Sequence, residues 1–295
     1  MIQPVIDAHH HIWRQADLPW LDGPMVPRIF GPYEPIRRDY PIEEYLEDIA
    51  GCNVVKSVYV QANWPKDKAV DEAAWVDSVA TRAGFPQAIV AYADLMAEDV
   101  RPTLDRLKSI SRVRGIRMQL HWHDNEQYRF APHADLADDP TFRRNFAALE
   151  DFGFSFDLQV FAPQMEGAAR LAADHRGTTF ILQHAGMLED LSDEGRDNWR
   201  VGMRRLAAQP NVVSKLSGLG TFIHRNDPGH IAEIVRETVA LFGAERCLFG
   251  SNFPIEKLWT DYASLLAAYR DAVAGFGADE RAAILHDTAA RVYRL

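Results

Sequence analysis

Cysteine is scarce in this chain of 295 residues, and the two that are present are Cys52 and Cys247. They lie far apart, form no CxxC pair and sit in apolar surroundings, so we expect two buried thiols and no disulfide framework. Neither has the neighbouring basic residue and histidine that would activate a thiolate, which argues against a nucleophilic cysteine. Unpaired cysteines are typical of reducing compartments, and we therefore expect the protein to be cytoplasmic.

Positive charge is also in short supply, because 32 Lys and Arg residues stand against 42 Asp and Glu residues, for a net charge of −10. This balance argues against nonspecific binding to nucleic acid or to an anionic membrane, although a locally basic pocket could still take an anionic substrate. No apolar run reaches membrane-spanning length, and no signal-peptide pattern precedes the first predicted strand. We expect a small-molecule substrate and neither a nucleic-acid nor a membrane partner. The sequence leaves open whether the chain forms a homo-oligomer.

Three motifs that would mark other enzyme classes are missing: GxGxxG, GxxxxGK[ST] and GxSxG. What the chain has instead is a regular alternation of apolar, β-branched runs with amphipathic stretches. The apolar runs predict eight strands, over Val5–His9, Lys56–Gln61, Ala88–Ala93, Gly115–Leu120, Ser155–Val160, Thr178–His184, Val212–Ser217 and Cys247–Ser251. The amphipathic stretches predict helices that include Asp67–Ala83, Thr141–Phe152, Pro163–His175, Asn198–Ala208, His230–Phe242 and a final one over Ala278–Tyr293.

Eight strand–helix repeats in about 300 residues predict an α/β fold, a (β/α)8 TIM barrel that forms one domain over residues 1–295. The competing fold is a doubly wound open sheet. That fold usually carries a glycine-rich phosphate loop after its first strand, where this chain has histidines. The barrel is therefore the favoured prediction.

The first predicted strand runs into three consecutive histidines, His9, His10 and His11. Because side chains alternate along a strand, His9 and His11 share one face, about 7 Å apart at the backbone, and His10 points away. Two imidazoles on one face can converge on a metal ion, and imidazole is a common ligand of catalytic transition metals. His184, which follows the sixth strand and precedes a small-residue turn, is the third candidate ligand. A histidine satisfied by a backbone carbonyl is the alternative.

Polar side chains crowd the ends of the other predicted strands, which is where a β/α barrel places its active site. Arg117, Gln119 and His121 alternate on the fourth strand, and the Arg117 guanidinium could hold a substrate carboxylate or carbonyl; an ion pair at the barrel mouth is the alternative. The other strand-end candidates for substrate contact or catalysis are Gln61, Gln159, Lys215 and Asn252.

A long segment between Arg14 and Tyr40 follows the first strand and lacks regular periodicity. Loops of this length are commonly lids or binding loops, and a plain surface excursion is the alternative. Four tryptophans in predicted strand-end loops, Trp13, Trp20, Trp64 and Trp122, could line an aromatic pocket or could pack between loops.

Five segments of the chain carry a family resemblance. They are Ile6-Asp7-Ala8-His9-His10-His11-Ile12-Trp13, Gly115-Ile116-Arg117, Gln183-His184-Ala185-Gly186, Val213-Ser214-Lys215-Leu216-Ser217-Gly218 and Phe249-Gly250-Ser251-Asn252-Phe253-Pro254. Together they resemble the amidohydrolase superfamily. The resemblance covers essentially the whole chain and is closest to the amidohydrolase-2 branch, which contains sugar-acid lactonases and the pyrone-dicarboxylate and sulfomuconolactone hydrolases. It implies a TIM barrel and hydrolysis, typically of a lactone, with His9, His11 and His184 as metal or substrate contacts.

Two positions depart from the family pattern. Superfamily members often have a carbamylated lysine on the fourth strand and a histidine on the fifth, where this chain has Arg117 or Gln119 and Gln159, which argues against a two-metal site. At the eighth strand the family sequence Ser-Asp-Trp-Pro is replaced by Ser251-Asn252-Phe253-Pro254. An amide cannot act as a general base at neutral pH, although it can orient a water.

The leading hypothesis is a hydrolase that opens the lactone of a small sugar acid or carboxylated metabolite. A single divalent ion, zinc or manganese, on His9, His11 and His184 would polarise the carbonyl and activate water. His184, Asn252 and Arg117 are the candidate catalytic residues, and Gln61, Gln119, His121, Gln159 and Lys215 the candidate substrate contacts. The alternatives are a metal-free lactonase, a zinc-dependent decarboxylase of the same branch, and a non-catalytic barrel that binds a small ligand.

Overall fold

Eight short apolar segments form eight parallel strands that pair in chain order, β1 to β8, in the computed structural model, which describes residues 3–295. The strands are β1 Val5–His10, β2 Val54–Val60, β3 Ala88–Ala91, β4 Val113–Ile116, β5 Ser155–Leu158, β6 Phe180–Leu182, β7 Val212–Leu216 and β8 Cys247–Phe249. Each strand from β1 to β7 is followed by at least one helix that returns the chain for the next parallel strand. The predicted (β/α)8 barrel is confirmed.

The helices surround the strands, and the main apolar core lies between these two layers. They are α1 Pro19–Asp22, α2 Ile42–Asp48, α3 Ala69–Ala83, α4 Arg101–Lys108, α5 Pro140–Phe152, α6 Met165–Asp174, α7 Asp193–Ala207, α8 Pro228–Phe242, α9 Tyr262–Val273, α10 Ala278–Ala282 and α11 Thr288–Tyr293. A smaller apolar cluster fills the barrel interior, where Ile6 and Ala8 of β1 meet Val58 and Val60 of β2, and α11 adds Tyr293 to it. No helix of the described residues is long and apolar enough to cross a membrane.

Except for β1, the predicted strands run past the observed strand ends at the end that carries the polar residues. The segment predicted over Gly115–Leu120 belongs to a strand that ends at Ile116, and the one predicted over Thr178–His184 ends at Leu182. The chain stays extended beyond β4, where the Arg117 amide donates to the Ala91 carbonyl at 2.8 Å. The polar residues therefore lie where the regular ladder gives way to loops.

Three helical features differ from the predicted ones. The predicted helices do not include the crossover helices α2 and α4, since both are short and α4 buries only Leu104 and Leu107. The helix predicted over Ala278–Tyr293 is interrupted by a π-helical turn, Ala283–Asp287, which separates α10 from α11.

Both cysteines are buried free thiols, as predicted.

The seam between β1 and β8 is closed chiefly by one buried carboxylate, that of Asp7. It accepts hydrogen bonds from the Ser251 amide at 2.8 Å and from the Ser251 hydroxyl at 2.7 Å. The hydroxyls of Tyr45 and Tyr262 donate to the same group at 3.0 and 3.1 Å, and the His9 amide donates at 3.1 Å. Asp7 thus joins β1, α2, the β8 loop and α9.

Replacing Asp7 should destabilise the barrel strongly. Asp7→Ala leaves several buried donors without an acceptor, and we expect the free energy of unfolding to fall by about 3 kcal/mol or more. Urea denaturation followed by circular dichroism would measure it, with the exposed Asp22→Ala as the control. Equal stability of the two variants would contradict this account of the seam.

Candidate active site

A cavity of about 680 Å³ opens at the carboxyl ends of the strands, in the size range of small-molecule sites. Its inner part is lined by polar side chains that come from five of the strand ends. They are His11, Arg117, Gln119, His121, Gln159, His184 and Asn252. The structure therefore brings these predicted residues together, although their roles remain predictions.

A bulge in β1 determines which way the side chains of the three histidines point. Between Asp7 and His10 the strand has one residue more than its partner β2. Such a bulge reverses the phase of side chains beyond it, so that His9 and His11 turn toward the cavity side while His10 stacks on Tyr45, with ring centres 3.9 Å apart. The predicted alternation of the three histidines is confirmed.

His9 is the centre of a group of three imidazole rings. Its ring centre lies 5.0 Å from that of His11 and 4.9 Å from that of His184. His11 Nδ1 is 2.7 Å from the Val60 carbonyl oxygen, and His184 Nδ1 is 2.9 Å from the Ser217 hydroxyl. These bonds fix two rings, and their Nε2 atoms are left for a ligand.

Burial keeps these imidazoles neutral. It lowers the pKa of His9 well below the ordinary value, and Lys215 adds to the effect. It also lowers the pKa of His11, with help from Arg117, and lowers that of His184 to about 3. Neutral imidazoles can accept a hydrogen bond or bind a metal, and both roles are closed to an imidazolium.

The donor chemistry of this group fits a transition metal. Both nitrogens of the buried His9 side chain lack a hydrogen-bond partner among the described residues, an arrangement that costs free energy unless a ligand satisfies them. Within residues 3–295, however, no three His, Cys, Asp or Glu side chains are arranged to hold one ion together. A metal would thus rest on His9 with His11 or His184.

Arg117 places a buried positive charge in the cavity wall. Its side chain is 4 % exposed, and one Nη donates to the Gln61 carbonyl oxygen. Its Nε has no partner among residues 3–295. Burial lowers the pKa of Arg117 to about 10, so the guanidinium stays charged at neutral pH. It is therefore free to bind an anionic or carbonyl oxygen.

Two predicted contacts lie behind the cavity wall. Gln61 is fully buried and its amide donates to Gln119 Oε1 at 3.3 Å. Lys215 is also fully buried and pairs with Asp157 at 2.8 Å, over the ring of Tyr293. Neither is among the residues that line the cavity, so their place in substrate binding is not supported by contact.

The long segment after β1 covers part of the cavity, as expected of a binding loop. It supplies Trp20, Arg28 and Phe30 to the wall. Trp20 Nε1 donates to the Ala62 carbonyl at 2.9 Å, and the Gln127 amide donates to the Arg28 carbonyl at 2.8 Å, which ties the segment to the β2 and β4 loops. Of the four tryptophans, Trp13, Trp20 and Trp64 line the cavity and Trp122 does not.

The outer wall is aromatic and positively charged. Arg28, Lys66 and Arg129 join Arg117 as basic lining residues, and no Asp or Glu of the described residues lines the cavity. A protein with a net charge of −10 thus has a cationic pocket. Such a pocket favours an anionic ligand.

One acidic residue beside the cavity was not among the predicted candidates. Glu256 is fully buried in a short turn after β8 and lies close to Asn252 and Thr221. Thr221, in the loop after β7, lines the cavity and was also missed. The sequence signal was weak, because Glu256 lies beyond the strand end, where solvated acids are common.

Comparison with known proteins places these features in context. A family model described as amidohydrolase matches residues 6–295. The uncharacterized protein y4mH of Sinorhizobium fredii is 36 % identical over 293 residues, covering 99 % of this chain and 98 % of that one. An L-fucono-1,5-lactonase of Burkholderia multivorans is 31 % identical over 306 residues, covering 98 % and 96 %. A crystal structure of an amidohydrolase from Burkholderia multivorans with bound zinc superposes with a TM-score of 0.83 at 28 % identity and covers 99 % of both chains.

The neutral, buried histidines predict how stability depends on pH. Burial lowers the pKa of His10 to about 3, whereas an unfolded histidine titrates near the ordinary value of 6.5. The unfolded chain therefore takes up the proton first, and stability falls as pH drops from about 6.5 toward 3, by roughly 1.4 kcal/mol per pH unit for each such group. Urea denaturation at pH 7 and pH 5 should show a smaller loss in His10→Gln than in the wild type. Equal losses would contradict the prediction.

Proposed function

This chain belongs to the amidohydrolase family, and we propose that it opens the lactone of a small sugar acid or similar carboxylated metabolite by hydrolysis. The observation that carries the proposal is the composition of the cavity: neutral imidazoles and Arg117 face one another in a pocket with no acidic lining residue in the described chain. Support comes from the L-fucono-1,5-lactonase of Burkholderia multivorans at 31 % identity.

The positive charge of the pocket suits the anionic intermediate and the carboxylate product of this reaction. Lactone hydrolysis turns a neutral cyclic ester into a carboxylate and passes through an anionic tetrahedral intermediate. A buried guanidinium such as that of Arg117, working where water is excluded, stabilises developing negative charge more strongly than it would in water. The carbonyl oxygen of the lactone would bind there.

The uncharged polar residues suit the hydroxyl groups of a sugar acid. Gln119 and Gln159 carry both donors and acceptors, and Gln159 Oε1 has no partner among the described residues. His121 is held neutral, with its pKa lowered to about 3 by burial, and its Nδ1 is also unpaired. Amides and neutral imidazoles bind hydroxyls without repelling a nearby carboxylate.

A divalent ion, zinc or manganese, is part of the proposal. Bound to His9 with His11 or His184, it would polarise the carbonyl and lower the pKa of a water. The unpaired nitrogens of His9 support this, as does the zinc in the structure of the Burkholderia multivorans amidohydrolase.

A panel of lactones tests the proposal. Purified protein is mixed with sugar-acid 1,4- and 1,5-lactones and with carboxylated lactones in weak buffer, and acid release is followed with a pH indicator. Hydrolysis of a member of the panel supports the proposal. Carbon dioxide release from aromatic carboxylates would instead indicate the decarboxylase, and thermal stabilisation by a lactone without turnover would indicate the non-catalytic binder.

Arg117→Met should reduce turnover of neutral and carboxylated lactones alike, because both present a carbonyl oxygen to this guanidinium. Loss of a charge-assisted hydrogen bond is worth about 1.5–3 kcal/mol, so kcat/KM should fall roughly 10- to 150-fold. Arg117→Lys should recover only part of the loss, because lysine lacks the planar fork. Steady-state kinetics on a neutral and a carboxylated lactone measure the effect; a variant as active as the wild type would contradict the assigned role.

Elemental analysis of protein purified without chelator or histidine tag checks the metal. We expect about one equivalent of zinc or manganese per chain, and much less in His9→Ala. His10→Ala, whose ring lies on the other face of β1, is the control and should keep its metal. Metal-free protein with full turnover, unchanged on adding zinc or manganese, would favour the metal-free lactonase.

A further inference from the structure

The acid that the family pattern places at the end of β8 is replaced here by Asn252, and another acid lies directly behind it. Glu256 follows four residues later and its side chain is fully buried. Trp259 Nε1 donates to Glu256 Oε2 at 2.8 Å, which holds the carboxyl group in place. Glu256 Oε1 has no hydrogen-bond partner among the described residues. A buried carboxylate oxygen that makes no hydrogen bond of good geometry calls for an explanation, and binding a proton during function is one.

Thr221 stands between this carboxyl group and the cavity. It lines the cavity, is 5 % exposed, and its hydroxyl is also buried without a partner in the part of the chain that the structure describes. The hydroxyl lies near enough to Glu256 to favour its charged form. A carboxylate oxygen and a hydroxyl, both buried beside the cavity, thus lie close to each other.

Among residues 3–295, no positive charge faces Glu256. The groups that face it are Asn252 from the β8 loop, Thr221 from the β7 loop, Trp259 from its own turn and Tyr269 from α9. The neighbouring Lys257 points away, to Glu44 and Asp48. Burial therefore dominates and raises the pKa of Glu256 to about 8, although Trp259, Asn252 and Thr221 each favour the charged form. A carboxyl group of that kind takes up and gives back a proton near neutral pH.

We propose that Glu256, acting through the Thr221 hydroxyl, is the proton acceptor for the hydrolytic water in the proposed lactone hydrolysis, and that it replaces the acid missing at Asn252. The inference rests on the proposed function. Asn252 and Thr221 both line the cavity, and the Asn252 amide would orient the same water.

The proton follows a closed path. The water oxygen forms a bond to the lactone carbonyl carbon, the carbonyl electron pair moves to its oxygen, and an O–H bond of the water breaks. That proton passes to Thr221 Oγ1, whose own proton passes to Glu256 Oε1. When the tetrahedral intermediate collapses, the ring C–O bond breaks and the ring oxygen takes the proton back along the same path. The product is a hydroxy acid, and Glu256 is again a carboxylate.

Paired variants test the path on the full-length protein with a lactone that the wild type hydrolyses. Glu256→Gln keeps the shape and the Trp259 contact but cannot accept a proton, and Thr221→Val keeps the volume but removes the hydroxyl. We expect each to lower kcat about 100-fold, with KM changed by less than about threefold. Thr221→Ser keeps a hydroxyl and should recover most of the loss. The double variant should be no slower than either single one, because both act in one path.

The pH profile separates this role from a structural one. In the wild type kcat should rise with pH to a plateau, with a midpoint near the pKa of Glu256, about 8. Glu256→Gln should remove that rise, whereas a variant that only loosens the fold would lower the whole profile and keep its shape. An unchanged profile in Glu256→Gln with full turnover overturns the inference and leaves the lactonase proposal standing. A wild type that hydrolyses no lactone overturns both.

Discussion

The hydrogen bonds of one buried carboxylate hold the working end of the barrel together. β8 is short and ends at Phe249, so few ladder bonds are available between it and β1. Asp7 supplies the connection by accepting five hydrogen bonds, two of them from Ser251. Two backbone bonds then follow, from the Asn252 amide to the His9 carbonyl and from the His11 amide to the Phe253 carbonyl, each at 2.7 Å. These bonds set the β8 loop, and with it Asn252, beside the histidines of β1.

The seam also determines the electrostatics of the cavity. Asp7 lies on the outer side of β1. Its carboxylate accepts hydrogen bonds from Tyr45, Tyr262 and Ser251 and does not face the cavity. Asp157 is likewise paired with Lys215. The cavity is left with Arg117 as its buried charge, and this charge is one reason why His11 and His184 stay neutral. The neutral state of the imidazoles therefore depends both on the Arg117 charge and on the absence of acidic lining residues among residues 3–295.

The barrel and most of the polar side chains that line the inner part of the cavity could be predicted from the sequence, since both follow from local patterns. Alternating strands and helices specify a barrel, and polar residues at strand ends specify its active face. Lys215 was placed in the site by the same rule but is buried against Asp157, because its partner comes from a different strand that no local pattern links to it. Glu256 was missed for a different reason. It lies in a turn beyond the strand end, and only the tertiary fold brings it beside Thr221 of the β7 loop.

The exchange of an acid for Asn252 makes physical sense beside Arg117 and the histidines. A carboxylate at the end of β8 would face the cavity, pair with the positive charges there and raise the pKa of the imidazoles. Moving the acid one turn further, to Glu256, keeps it out of the cavity. No cation of residues 3–295 contacts it there, and burial holds its pKa at about 8. The cavity then keeps its full positive charge for the substrate, while a proton acceptor remains within reach through one hydroxyl. A site that binds an anionic substrate benefits from that separation, because the group that takes the proton does not repel the molecule that supplies it.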